Sequence, residues 1–164
     1  MNPYLKKVLD LINNGSMDNT YKMSWIRSIV ESCEKSSKKN IHFDELSKLI
    51  FKYYWNQCVF FNLNQSHNRN KKPEIIQIVE NSIKEYQSSR GFKKETFTRI
   101  ENEIDIPVTK ISSVLKKDVC KRFLYLGGKI HKIYDYDLTK REINLFNPEV
   151  LKTYSEILYN SINY

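Results

Sequence analysis

Apolar residues recur at three- and four-residue spacing along most of this chain, the pattern of helices that each bury one face. Leu5, Val8, Leu9 and Ile12 predict a helix over Pro3–Asn13, with Gly15 as its stop. Asp18, Asn19 and Thr20 can cap a second helix, whose Tyr21, Trp25, Ile26, Ile29, Val30 and Cys33 fall on one stripe. EKSSKKN reads as a polar loop, and Ile41 and Phe43 around His42 as a short extended piece. Asp44 then caps a third helix, with Leu46, Leu49, Ile50, Tyr53 and Tyr54 inward. This helix runs on into YYWNQCVFF, which is too aromatic to be solvated on all sides and is expected in the core. After the polar stretch FNLNQSHNRNKKP, Pro73 suits the first residue of a fourth helix with the stripe Ile75, Ile76, Val79, Ile83 and Tyr86.

Gly91 breaks the pattern. Beyond it, Lys94–Glu103 reads as a short helix with Phe97 and Ile100 inward. Ile104–Pro107 is a turn, and Val108–Lys117 a further helix with Val108, Ile111, Val114 and Leu115 inward. Gly127–Gly128 between two β-prone runs signals a hairpin of Arg122–Leu126 and Lys129–Tyr134. Asn147 and Pro148 open a last helix with Val150, Leu151, Tyr154, Ile157 and Leu158 on its stripe, expected to continue to Tyr164 and past it. The fold class expected is mainly α (α+β): a helical bundle with a winged-helix-like helix-turn-helix and one small antiparallel hairpin. A loose boundary near Ser88–Gly91 separates an N-terminal helical part, 1–90, from 91–164, unless the two form one compact unit.

Composition adds a partner to this picture. With 27 Lys and Arg against 19 Asp and Glu, the chain of 164 residues carries a formal charge of +8. That excess favours polyanions, nucleic acid first and an anionic membrane surface second. No apolar run approaches membrane-spanning length. Cys33, Cys58 and Cys120 are odd in number, far apart and set in apolar stretches. Reduced core cysteines of a cytoplasmic protein are expected rather than a zinc knuckle or a disulfide framework.

Two stretches are candidates for DNA contact. Helix, turn, helix and hairpin, here Pro73–Tyr86, Lys94–Glu103, Val108–Lys117 and the Gly127–Gly128 wing, is the order of a winged helix. The outward face of Val108–Lys117 then carries Thr109, Lys110, Ser112, Ser113, Lys116 and Lys117 for phosphates and base edges. Lys121, Arg122 and Lys129 extend the cationic surface to the wing. A compact helical subdomain with a solvated lysine face fits the same spacing. In the polar stretch, Gln65, His67, Asn68, Arg69, Asn70, Lys71 and Lys72 offer many donors ahead of a helix N-terminus, where anions are favoured. A phosphate-gripping loop and a solvated turn remain alternatives there. No catalytic motif is found: His42 and His131 stand in no ligand-like spacing with His67, and Asp135 and Asp137 read as loop carboxylates.

Taken together, DNTYKMSWIRSIVE, FKYYWNQCVFFNL, NKKPEIIQIVE, DVCKRF and KIYDYD resemble the N-terminal region of bacterial HNH endonuclease-domain proteins of restriction or phage-defence type. In longer members the catalytic ββα-metal motif lies downstream of a helix like Pro148–Tyr164, so the resemblance places no catalytic residue on this chain. It implies a recognition or scaffold part that brings a nuclease to double-stranded DNA. No cofactor is then expected in this chain, the divalent metal belonging to the nuclease segment. Two rival expectations stand beside it. One is a protein-interaction or homodimerisation module using the aromatic Tyr53–Phe61 region; the other is a small nuclease using its own carboxylates.

Overall fold

The computed structural model describes residues 1–61, 72–91 and 93–162. Helix α1 (Pro3–Asn14) starts where the Asn2 side chain accepts from the N–H groups of Tyr4 and Leu5, at 2.8 and 3.2 Å, with Pro3 as first residue. It stops at Gly15, whose N–H closes on the Leu11 carbonyl at 3.0 Å. A Cβ there would stand 2.3 Å from that oxygen, so the tight exit requires glycine. Helix α2 (Asn19–Lys35) begins where the cap is expected, the side chains of Asn19 and Thr20 lying outside the described part. Trp25, Ile26, Ile29, Val30 and Cys33 are all fully buried.

Strand β1 (Asn40–His42) passes directly into α3 (Phe43–Phe61). The first-turn N–H of Asp44 is satisfied by His42 Nδ1 at 3.1 Å, so the imidazole caps this helix rather than Asp44. Helices α2 and α3 pack on each other, with Ser24 Oγ and the Tyr54 hydroxyl 3.3 Å apart between them. Phe43, Phe51, Tyr53, Tyr54 and Trp55 are buried, but the aromatic run leaves the core at its end, with Phe60 41% and Phe61 70% exposed. Leu49, expected inward, is half-buried.

Helix α4 (Glu74–Arg90) has Pro73 as its cap and ends at Gly91, whose positive φ of 88° is a backbone conformation that glycine adopts without strain. The helix expected over Lys94–Glu103 is only one turn, α5 (Phe97–Ile100), followed by a 3₁₀ turn over Glu101–Glu103. Its approach is pinned in extended form on α3. Trp55 Nε1 donates to the Glu95 carbonyl at 3.1 Å, and Asn56 Oδ1 accepts from the Phe97 N–H at 3.0 Å. Helix α6 (Val108–Val114) continues as a π-type turn over Leu115–Val119, closed by the Cys120 N–H on the Leu115 carbonyl at 3.0 Å. The wider turn lets Leu115, Val119 and Cys120 all reach the core, whereas Val108 is half-buried.

The hairpin at Gly127–Gly128 is shorter than the expected strands. Arg122–Leu124 is a 3₁₀ turn, and only β2 (Tyr125–Leu126) and β3 (Lys129–Ile130) pair. The φ values of 59° and 76° at the glycines suit a type I′ connection. Tyr134 belongs instead to β4 (Tyr134–Asp137), which pairs antiparallel with β5 (Glu142–Leu145), a second hairpin the apolar pattern does not announce. Strand β5 also pairs with β1, Ile41 opposite Ile143, giving the order β1-β5-β4. The last helical stretch is broken in two, α7 (Pro148–Thr153) and α8 (Ser155–Ile162), with Tyr154 between them. Asn147 Oδ1 caps α7 through the Val150 N–H at 3.3 Å. The break rotates the stripe: Leu158 and Ile162 are buried and Ile157, expected inward, is 49% exposed.

The result is mostly helical with small antiparallel sheets. One apolar core runs through both halves, with α7 and α8 packed on α2. At its centre Trp25 meets the rings of Phe43 and Tyr134 edge-on, at 5.8 and 6.1 Å. The Tyr134 hydroxyl accepts from Trp25 Nε1 at 3.1 Å and donates to the Cys120 carbonyl at 2.5 Å. Cys33, Cys58 and Cys120 carry free thiols, and burial pushes them up to about 12, 11 and 12. Among the described residues no helix is long and apolar enough to cross a membrane.

Candidate nucleic-acid interface

Helix α6 and the turn that prolongs it separate buried from exposed positions cleanly. Lys110, Ser113, Lys117 and Lys121 are all exposed and follow one another at three- to four-residue steps, so they form one outward stripe. Thr109 is exposed beside it, and Ser113 Oγ donates to the Thr109 carbonyl at 2.9 Å. Lys116 is half-buried. Ser112 does not belong to this surface. It is fully buried, and its Oγ accepts from Arg141 Nη1 at 3.2 Å. The donor comes from the β4–β5 turn, a neighbour that helical spacing cannot reveal.

Lys117 stands 3.3 Å from Glu74 Oε2 and 3.6 Å from Asp118 Oδ2. Hydrogen bonding to Glu74, then the Asp118 charge, hold its ammonium above the ordinary lysine value. Such exposed pairs contribute little and exchange readily for another anion. The stripe ends in Arg122, also exposed, and the hairpin adds exposed Lys129. Lys72, at the foot of α4, is paired with Glu80 at 3.0 Å, and its carbonyl accepts from Gln77 Nε2 at 2.7 Å. Gln65, His67, Asn68, Arg69, Asn70 and Lys71 lie outside the described residues.

Beside the stripe, a cleft of about 800 Å³ opens between the α1–α2 connection, the start of α4 and the β2–β3 hairpin. Tyr21, Tyr125, Asp118 and Arg122 line it. The Tyr21 hydroxyl accepts from the Ile75 N–H at 3.2 Å, and burial raises its pKa. A second cleft of about 680 Å³ lies between α2, α3 and α8. Its charges answer one another: the Tyr53 hydroxyl donates to Glu31, the Tyr159 hydroxyl to Glu34, and the Arg27 guanidinium lies 4.5 Å from the Tyr53 ring centre.

Among the described residues no group of three His, Cys, Asp or Glu side chains is close enough to hold a metal ion. Asp135 is engaged by Lys132 at 3.3 Å, and Asp137 Oδ1 accepts from the Lys140 N–H at 3.0 Å. His131 lies just beyond β3, its backbone N–H donating to the Leu124 carbonyl at 2.7 Å. No family model, curated protein or solved structure matches the chain.

Proposed function

We propose that this chain is a DNA-recognition module, itself non-catalytic, that serves an HNH-type endonuclease of restriction or phage-defence kind. The observation that carries the reading is the exposed run Lys110, Ser113, Lys117 and Lys121, continued by Arg122 and Lys129, on a chain of charge +8. Phosphate contacts from such a run supply affinity without reading sequence. In a winged-helix docking α6 enters the major groove and the Gly127–Gly128 turn touches the backbone. The order of α4, α5, α6 and the β2–β3 hairpin supports that docking, although α5 is a single turn. The attachment to a nuclease rests on the sequence resemblance.

The test is a salt titration of duplex binding with the wild-type chain and a Lys116→Ala/Lys117→Ala variant. Binding should fall steeply with salt, and the variant should lose about one unit of log–log slope for each phosphate contact removed. No binding at low salt ends the reading; an unchanged slope takes these two lysines out of the interface.

A second reading, as a protein-docking or dimerising module, is favoured by Phe60 and Phe61, 41% and 70% exposed. Only these two serve it, because Tyr53, Tyr54 and Trp55 are buried. Association through such aromatics should scarcely respond to salt and should be lost in a Phe60→Ser/Phe61→Ser variant, as measured by sedimentation.

A further inference from the structure

We propose that the cleft beside the hairpin binds one unpaired nucleotide, its base stacked on tyrosine and its phosphate held by Arg122. This deepens the DNA reading and rests on it. At about 800 Å³ the open cleft has room for a small ligand. Its chemistry is that of a base site. Tyr21 and Tyr125 bring aromatic side chains to the lining, with Met17 and Pro73 beside them. Asp18 and Asp118 contribute carboxylates to the same lining.

Position argues for a nucleotide over an uncharged ligand. Arg122 lies in the lining and directly follows Lys121, the last residue of the cationic stripe. A strand whose phosphates track that stripe therefore arrives at the cleft. The walls are fixed by the fold: Tyr21 is tethered to α4 through the Ile75 N–H, and the Tyr125 carbonyl accepts from the Ser16 N–H at 3.0 Å. A base within a duplex has both faces stacked and cannot lie against a tyrosine, so the occupant is a single-stranded or extruded nucleotide. The Asp118 carboxylate, whose Oδ2 lies 3.6 Å from Lys117 Nζ, has the lone pairs to accept a further hydrogen bond, which favours a base with an amino edge. Cytosine presents N4–H₂ where thymine presents the O4 acceptor.

The experiment uses the full chain at one fixed salt concentration, with labelled oligo-dC, oligo-dT of equal length and a duplex, followed by fluorescence anisotropy. Oligo-dC is expected to bind more tightly than oligo-dT. Tyr125→Leu should weaken oligo-dC by about tenfold and the duplex by less than about twofold, while Tyr125→Phe, which keeps the ring, retains wild-type binding. Equal loss for both ligands, no loss for oligo-dC, or tighter oligo-dT would overturn the pocket. Duplex binding without single-strand binding removes the pocket and leaves the DNA reading standing. Single-strand binding that responds to Tyr125 without duplex binding does the reverse, and no binding at all ends both. Should Tyr125→Leu fail to fold, the ring protons of Tyr21 and Tyr125 in the wild-type chain decide: oligo-dC must shift them, and unmoved signals count against the pocket.

Discussion

At the scale of single residues, the core formed by the described residues holds two hydroxyls at odds with their surroundings. Ser32 Oγ and Ser47 Oγ are buried without a hydrogen-bond partner, whereas Ser28 Oγ donates to the Trp25 carbonyl at 2.7 Å. An unsatisfied buried hydroxyl costs about 1–3 kcal/mol, and alanine is the better helix former. Ser32→Ala and Ser47→Ala should therefore stabilise the chain by about 1 kcal/mol each, seen as a rise of about 2–4 °C in melting temperature. A lower melting temperature in either variant would mean that the hydroxyl has a partner in solution. Neither residue was legible as buried, because serines on a helix read as solvent positions until the facing helix is known. Ser112 was misread for the same reason, since Arg141 reaches it from a remote turn.

Among elements, α2 and α3 are clasped at their exposed edge by Glu31. The Tyr53 hydroxyl donates to it, and Lys35 and Lys52 lie 3.3 and 3.9 Å away. Burial alone would raise the Glu31 pKa; the Tyr53 hydrogen bond and the two ammonium charges more than offset this and hold it below the ordinary 4.5. A carboxylate with a depressed folded pKa stabilises above its unfolded value and loses that contribution as pH falls through the folded one. Urea midpoints of the wild-type chain should thus decline below pH 4.5, and Glu31→Gln should be less stable at pH 7 with a shallower decline. A variant that follows the wild-type curve would show that the clasp contributes nothing.

The helices were the legible elements, because Trp25, Ile26, Ile29, Val30 and Cys33 on α2 and Ile75, Ile76, Val79 and Ile83 on α4 repeat at helical spacing. The β4–β5 hairpin was not. Its turn uses no glycine, and its left-handed residue is Arg141, at φ 55°. The break at Tyr154 likewise falls between good helix positions with no proline or glycine to mark it. The cleft under Tyr125 was invisible for another reason, its walls coming from segments far apart in the chain.

For the whole molecule, the two halves share one apolar interior, and α2 is covered by α7 and α8 from beyond Gly91. A fragment of residues 1–90 leaves Trp25 without Tyr134, Ile41 without Ile143, and α2 without α7 and α8. It should therefore lack cooperative unfolding and bind hydrophobic dyes, by calorimetry and fluorescence. A sharp transition in that fragment would make the first half a domain in its own right. The pairing of Ile41 with Ile143 also sets an order of events during synthesis. Strand β1 is synthesised well before the strand that satisfies its backbone, His42 pairing with Glu142 about 100 residues further along the chain. Until then the nascent chain carries β1 with an open strand edge, so this pairing waits for a distant segment to return to a site prepared long before it.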